Sequence, residues 1–299
     1  MSKVLVIHTW GLGDMIMATP MLKSLAKSGY RVDLAITSPV NKVLLQGNDF
    51  IRNIYIIKSL KDFIRLFGRY SYVVGTAGIN PQKIKIIGYL LGAKRVFAAK
   101  QQKNLHRIKM NLKIVAPLLK IVDEEPYISI KPLADSVKKR YLASEGKTIG
   151  FAPGSGIKQS FKRWGGFREL IQRVDGNKLV FIGPDEQELV KEFEGLDVTV
   201  VQESLENTIS LIAHLDLLVG NDNGLMHIGY ATNINTVTIY GMTNEKETGR
   251  YRENNESVFL DMECRPCFDP STDTIGCDTI DCLKFLKVEE VLQRCQKYL

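Results

Sequence analysis

Short apolar runs rich in β-branched residues recur along the chain, and most are followed by a segment whose apolar positions return every three or four residues. The first kind reads as buried parallel strand, the second as helix laid over it. Strands are predicted at 3–8, 31–36, 53–57, 72–75 and 95–98, with helices at 14–27 and 83–91. Pro20 lies inside the first helical pattern, so either Thr19 caps a fresh helix with Pro20 at its first position, or the helix kinks there. Residues 103–122 read as one long helix or two, 126–132 as extended chain and 133–144 as a helix polar on one side. The pattern then restarts. Strands at 148–152, 179–182, 198–201, 217–219 and 236–240 alternate with helices at 167–174, 186–194, 209–214 and 225–231. Such alternation implies βαβ units and mostly parallel sheets. The expectation is an α/β chain of two doubly wound domains, 1–145 and 146–299. The last helix is a candidate to pack back on the first domain, and a cleft between the two is the default place for a ligand.

Composition agrees with this size: 299 residues, 44% of them hydrophobic, can bury two cores. No apolar run approaches the roughly 20 residues needed to cross a bilayer, and Met1 runs straight into the first strand without a signal-peptide segment. A cytoplasmic protein is expected. Five cysteines, an odd number, then argue against a disulfide framework. Charge changes the picture more. Residues 1–145 carry 24 Lys/Arg against 9 Asp/Glu, whereas 146–299 carry 16 against 24; from Phe63 to Val122 there are twelve basic residues and no acid. The bland account is a solvated face. The sharper one is an anionic partner. Aromatics are sparse among these cations and no nucleic-acid module is visible, so a phosphorylated glycolipid or the anionic inner leaflet fits better than nucleic acid.

Candidate chemistry gathers at three strand-to-helix junctions. Gly11-Leu12-Gly13-Asp14-Met15-Ile16 begins like a dinucleotide fingerprint, but Ile16 replaces the last glycine and Asp14 sets a negative charge where a pyrophosphate would lie. Another role fits better: Gly11 and Gly13 bring backbone close to a substrate, and Asp14 presents a carboxylate as general base to a hydroxyl. The alternative for Asp14 is a plain helix cap. Pro153-Gly154-Ser155-Gly156, followed by Lys158, Lys162, Arg163 and Trp164, sets a hydroxyl and cations after a strand, suited to a charged leaving group or merely to a solvated loop. Gly220-Asn221-Asp222-Asn223-Gly224-Leu225-Met226-His227 offers a helix amino terminus to a diphosphate. There His227 either donates to a phosphate or sugar oxygen or is a packed core histidine. Cys264, Cys267, Cys277 and Cys282 have spacing that a metal could in principle use, but reduced structural cysteines in a compact loop account for them better.

The ordered set Gly13-Asp14…Thr19-Pro20, Pro153-Gly154-Ser155…Lys162-Arg163-Trp164 and Asp222-Asn223-Gly224-Leu225-Met226-His227, with Ala231, Tyr240-Gly241 and the cysteine-bearing tail, resembles glycosyltransferase family 9, the ADP-heptose:lipopolysaccharide heptosyltransferases. The resemblance spans nearly the whole chain. It implies a GT-B architecture with the acceptor on the first Rossmann-like domain and the sugar nucleotide on the second. It also implies inverting transfer with neither metal nor cofactor. Asp14 then becomes the base on the acceptor hydroxyl. Lys162 contacts the diphosphate beside Ser155, Glu186 the ribose and Asp222 the sugar, while Asn223 and Gly224 form the phosphate-facing turn. Many members have Thr where this chain has Asn223, so an amide replaces a hydroxyl at the phosphate.

The resulting expectation is a monomeric glycosyltransferase, peripheral at the cytoplasmic face of the inner membrane, moving heptose from ADP-heptose to an anionic inner-core glycolipid. Another nucleotide sugar or a protein acceptor is the near alternative. Two rivals come from other classes: a nicotinamide-dependent oxidoreductase, for which Asp33 stands 20 residues after Gly13, and a non-catalytic polyanion-binding protein using residues 65–120.

Overall fold

The computed structural model describes residues 1–142, 145–269, 272 and 274–299, with only the backbone of Ile157 and Lys158. Lys158 as a candidate side chain therefore lies outside the described residues, as does the end of the helix predicted at 133–144. The chain forms two compact units, Met1–Ser129 and Ile130–Leu299.

In the first unit, β1 (Lys3–His8), α1 (Leu12–Lys27), β2 (Arg31–Ile36), α2 (Asn41–Leu44), β3 (Asn53–Ile56), α3 (Leu60–Ile64), β4 (Tyr72–Gly75), α4 (Pro81–Leu90), β5 (Arg95–Phe97) and α5 (Arg107–Val115) follow one another. The sheet order is β3-β2-β1-β4-β5, parallel throughout, with Val4 opposite both Val32 and Tyr72. Strand β1 lies at the centre and is covered on both faces, which is why Val4, Leu5, Val6 and Ile7 are all buried. Chain order reverses between β1 and β4, the point where open α/β sheets bind ligands at their carboxyl ends.

The proline in α1 neither starts a new helix nor breaks the old one: α1 runs unbroken through Pro20. Proline lacks the N–H that would reach the carbonyl four residues back. The Thr19 hydroxyl supplies the missing donor to Ile16 O at 2.7 Å and itself accepts from Tyr127 N at 2.8 Å.

The second unit contains α6 (Asp135–Tyr141), β6 (Thr148–Ala152), α7 (Phe167–Gln172), β7 (Asn177–Phe181), β8 (Thr199–Val201), α8 (Leu205–Ile212), β9 (Leu217–Asn221), α9 (Gly224–Thr232), β10 (Asn235–Ile239), α10 (Glu245–Thr248) and β11 (Asn255–Val258). A small hairpin of β12 (Phe268–Asp269) and β13 (Thr274–Ile275), then α11 (Asp281–Lys284) and α12 (Val288–Cys295), complete it. The six-stranded sheet is again parallel, β11-β10-β9-β6-β7-β8, and reverses between β6 and β9. The segment expected as a helix at 186–194 is a 3-10 helix, Pro184–Phe193, interrupted at Glu186.

Two placements differ from the expected domain layout. Helix α6 belongs to the second unit, where Tyr141 Oη donates to Glu203 Oε1 at 3.0 Å and Asn177 Nδ2 to Tyr141 O at 2.6 Å. Helix α12 packs on α7, β10 and β11 of its own unit, burying Val291 and Cys295 in that core. Among the described residues no helix is long and apolar enough to cross a membrane.

Candidate functional site

At the carboxyl end of β1, the turn Thr9-Trp10-Gly11 delivers the chain into α1 with Gly11 as N-cap and Asp14 in the first turn. Gly11 makes no side-chain cap, and a Cβ added there would meet nothing within 4 Å, so the surrounding protein does not itself demand glycine. Asp14 is not a cap for its own helix. Its Oδ1 lies 3.2 Å from Nη1 of Arg107, the first residue of α5, and its side chain keeps 28% of its surface exposed. Arg107 is buried and held from both sides. One turn further along α5, Asn111 accepts from Ala77 N at 2.8 Å and donates to Met17 O at 3.1 Å, clamping α5 to α1 and to the end of β4. On the other side Gly78, at φ +88°, passes so close that a Cβ would fall 2.6 Å from Arg107 Nη1 and 3.2 Å from Trp10 Nε1; only glycine fits.

Below Asp14, His8 is fully buried with Nδ1 3.0 Å from Thr76 Oγ1. Burial pushes its imidazole below the ordinary range, against the opposing pull of the Asp14 carboxylate. Arg107 Nε and Trp10 Nε1 are buried donors without an acceptor among the described residues. Two such groups beside a part-open carboxylate are unusual in a structure whose other polar groups are mostly satisfied.

The second junction is assembled differently. Loop 153–156 after β6 is fastened to the end of β9 by two asparagines. Asn221, fully buried, accepts from Trp164 N at 3.1 Å and donates to Pro153 O at 2.6 Å. Asn223 caps α9 by accepting from Leu225 N and Met226 N, and its amide donates to Gly154 O at 2.7 Å and Ala152 O at 3.2 Å. That uses both donors and both acceptor positions of the carboxamide. Glu186 plays a similar part. Its Oε1 accepts from Ser155 N and Gly156 N at 2.8 Å each and from Arg163 Nη2 at 2.9 Å, while Gly154 leaves the room that its other oxygen occupies. The Ser155 hydroxyl turns to Gln159 O at 2.7 Å.

Two candidates remain less committed. Lys162 Nζ stands 4.0 Å from Asp222 Oδ2, with both side chains nearly buried, and 4.6 Å from the centre of the Phe268 ring. Gly224 opens α9. His227, in the first turn of α9, is buried, with Nδ1 2.9 Å from Tyr251 Oη and its ring edge-on to Tyr230, so it forms part of an aromatic cluster.

Comparison with known proteins places the chain in a family. The family model for glycosyltransferase family 9 (heptosyltransferase) matches residues 88–275. The chain belongs to glycosyltransferase family 9. It is 26% identical to lipooligosaccharide heptosyltransferase 2 of Campylobacter jejuni over 97% of both chains. Among solved structures, a family 9 glycosyl transferase from Veillonella parvula superimposes with a TM-score of 0.80 at 19% identity, covering 99% of this chain and 97% of the other. The E. coli ADP-heptose lps heptosyltransferase II does so at 0.72 and 17%, covering 100% and 98%. The two parallel-sheet units are those of a GT-B glycosyltransferase.

The rival oxidoreductase reading loses its acidic residue as well as its family. Asp33 sits in the middle of β2, opposite Leu5, accepting from Tyr70 Oη at 2.6 Å and Asn53 Nδ2 at 3.1 Å. In this family 9 transferase the cysteine tail is partly core: Cys282 and Cys295 are buried, Cys264 is exposed, and all five thiols are free. Among the described residues no group of three or more His, Cys, Asp or Glu is placed to hold a metal ion. Arg107, Asn111 and Asn221 are the functional neighbours that the sequence reading did not single out for the site. Arg107 stood only as one cation of a long basic run, 93 positions from its partner.

Proposed function

We propose that this glycosyltransferase moves heptose from ADP-heptose to a hydroxyl of a lipopolysaccharide inner-core acceptor, with inversion at the anomeric carbon and without a metal ion. The observation that carries the reading is Lys162. A buried ammonium 4.0 Å from its carboxylate is too far for a hydrogen bond and is a cation available to a second anion. Asp222, one residue before the cap of α9, is its carboxylate, and Asn221, Asn223 and Glu186 hold the neighbouring loop by its backbone.

In this reading Asp14 takes the proton of the acceptor hydroxyl as the oxygen attacks the anomeric carbon. The new C–O bond forms, the bond from that carbon to the diphosphate oxygen breaks, and ADP leaves with the electron pair. Lys162 and the amino terminus of α9 at Gly224 stabilise the charge gathering on the diphosphate, a stabilisation that grows towards the transition state. Asp222 orients Lys162 and accepts from a donor hydroxyl. Glu186, Ser155 and Asn223 act by shaping the loop, and His227 by supporting the first turn of α9. Gly11 and Gly13 leave space for the acceptor, and Arg107 holds the Asp14 carboxylate in its rotamer. The enzyme works as a monomer, peripheral at the cytoplasmic face of the inner membrane.

A thermal-shift panel of sugar nucleotides tests the donor. ADP-heptose at 100 times its dissociation constant adds about 2.7 kcal/mol of stability, whereas UDP- and GDP-sugars at equal concentration add little. Stronger stabilisation by a UDP-sugar overturns the assignment.

A further inference from the structure

The outer surface of α3 and α4 carries large apolar side chains that the fold does not use. Inward-facing Phe63, Leu66, Ile84 and Leu91 belong to the core of the first unit. Leu60, Ile64 and Phe67, spaced as one helical stripe, point the other way, and so do Ile86, Tyr89 and Leu90 on α4; all six are 60–89% exposed. Among the described residues they make up six of the fourteen exposed large hydrophobics. The two stripes meet. Gly68 N donates to Leu91 O at 3.0 Å, and the Phe67 ring lies 3.7 Å from where a Gly92 Cβ would stand.

Scattered apolar residues on a surface need no explanation, but a joined patch of this size does. The residues between and beside the stripes decide what covers it. Lys61, Arg65, Arg69, Lys83, Lys85 and Lys94 are all exposed there. The one acid in the segment 59–95, Asp62, accepts from Lys58 N and Ser59 N in its own capping box. An apolar face ringed by cations and almost free of carboxylates complements an anionic lipid surface: rings and aliphatic chains enter the acyl boundary while ammonium and guanidinium groups meet phosphates.

We propose that this face of α3 and α4 is the membrane-docking surface of the enzyme, with a bilayer containing anionic phospholipid as its occupant. The inference deepens the proposal of a lipid-linked acceptor, since it names where the bilayer that carries such an acceptor would be met. Its test needs no substrate. The full chain is sedimented with vesicles of phosphatidylglycerol and phosphatidylcholine, and with phosphatidylcholine alone. Binding is expected only to the former and weakens as salt is raised.

Charge reversal of Arg65, Lys83 and Lys85 to Glu should lower partitioning at least about a hundredfold, from roughly fivefold for each cation removed. Replacing Leu60, Ile64 and Phe67 by Ser should lower it about tenfold or more. Lys138→Glu with Lys139→Glu on α6, an exposed basic helix of the other unit, serves as the charge control and should leave partitioning near wild type. All variants should keep transfer to a soluble, delipidated acceptor, which separates a failed docking face from a failed catalytic assignment. Equal loss in the α6 control means general electrostatic adsorption and overturns the proposal. Unchanged vesicle binding in the Ser triple variant, with a shift from dimer to monomer in light scattering, would identify the patch as an interface between copies and overturn it too.

Discussion

The two strand-to-helix junctions are topological twins whose carboxylates and amides are used differently. Each lies where its parallel sheet reverses, β1 beside β4 in one unit and β6 beside β9 in the other. At the first, among the described residues, Arg107 Nε and Trp10 Nε1 are buried without an acceptor, and Asp14 has one cationic contact and open surface. At the second, Asn221, Asn223 and Glu186 each fasten the loop backbone, while Arg163 Nε is a buried donor without an acceptor among the described residues and Lys162 is loosely paired. Charge follows the same division, with 20 Lys/Arg against 7 Asp/Glu in residues 1–129 and 20 against 26 in 130–299. The lesson is that motif residues of equal prominence in sequence do different work. Those of the first junction leave a carboxylate part-open beside buried donors, as the proposed base role requires. Most of those of the second hold a loop in shape.

The sharpest way to break this comparison is Asp14→Asn. Turnover should fall about a thousandfold, within the range for loss of a positioned base, with ADP-heptose affinity by calorimetry almost unchanged. Normal turnover would remove the base from the first junction. Lys162→Ala comes next: kcat/KM should drop about a hundredfold, with a higher KM for the donor and a lower kcat together. A purely structural lysine would change melting temperature instead. Asn223→Ala should act on stability before chemistry. It loses an N-cap and two side-chain links, about 2 kcal/mol in urea unfolding; a variant as stable as the parent but unable to bind donor would make Asn223 a ligand contact after all.

The smallest effect is one of pH. His8 has its folded value lowered by burial, so below the unfolded value of about 6.5 the unfolded chain takes up a proton that the folded chain resists. Stability should decline as pH falls below about 6.5, by at most about 1.4 kcal/mol per unit. His8→Gln should flatten that decline. An unaltered slope would place the imidazole proton uptake elsewhere.

Much of this was legible in the sequence because it is local. The strands of both sheets have runs of apolar β-branched residues, and Asp14, Lys162 and Asp222 follow strand ends at fixed offsets. Edge strand β11 was missed because Asn255-Glu256-Ser257-Val258 alternates only weakly, as a strand with one open side is free to do. Helix α3 was missed because Leu60, Ile64 and Phe67 spoil its amphipathic pattern by facing outward. The roles of Asn223 and Glu186 were hidden for another reason. Helix-capping chemistry and ligand-binding chemistry use the same side chains, and only the partners tell them apart: Gly154 O and Ala152 O for the first, Ser155 N and Gly156 N for the second. Arg107 could not be paired with Asp14 by spacing, since two helices far apart in the chain bring them together.

One hydroxyl decides whether the helix beneath Asp14 behaves as a single rod. Thr19 fills the gap that Pro20 opens at the Ile16 carbonyl and simultaneously tethers the Tyr127 strap. Serine there preserves both links. Valine, identical in outline, severs both at once, leaving the front of the rod to the Asn111 and Arg107 contacts and its rear to Lys23 and Lys27 on Asp123.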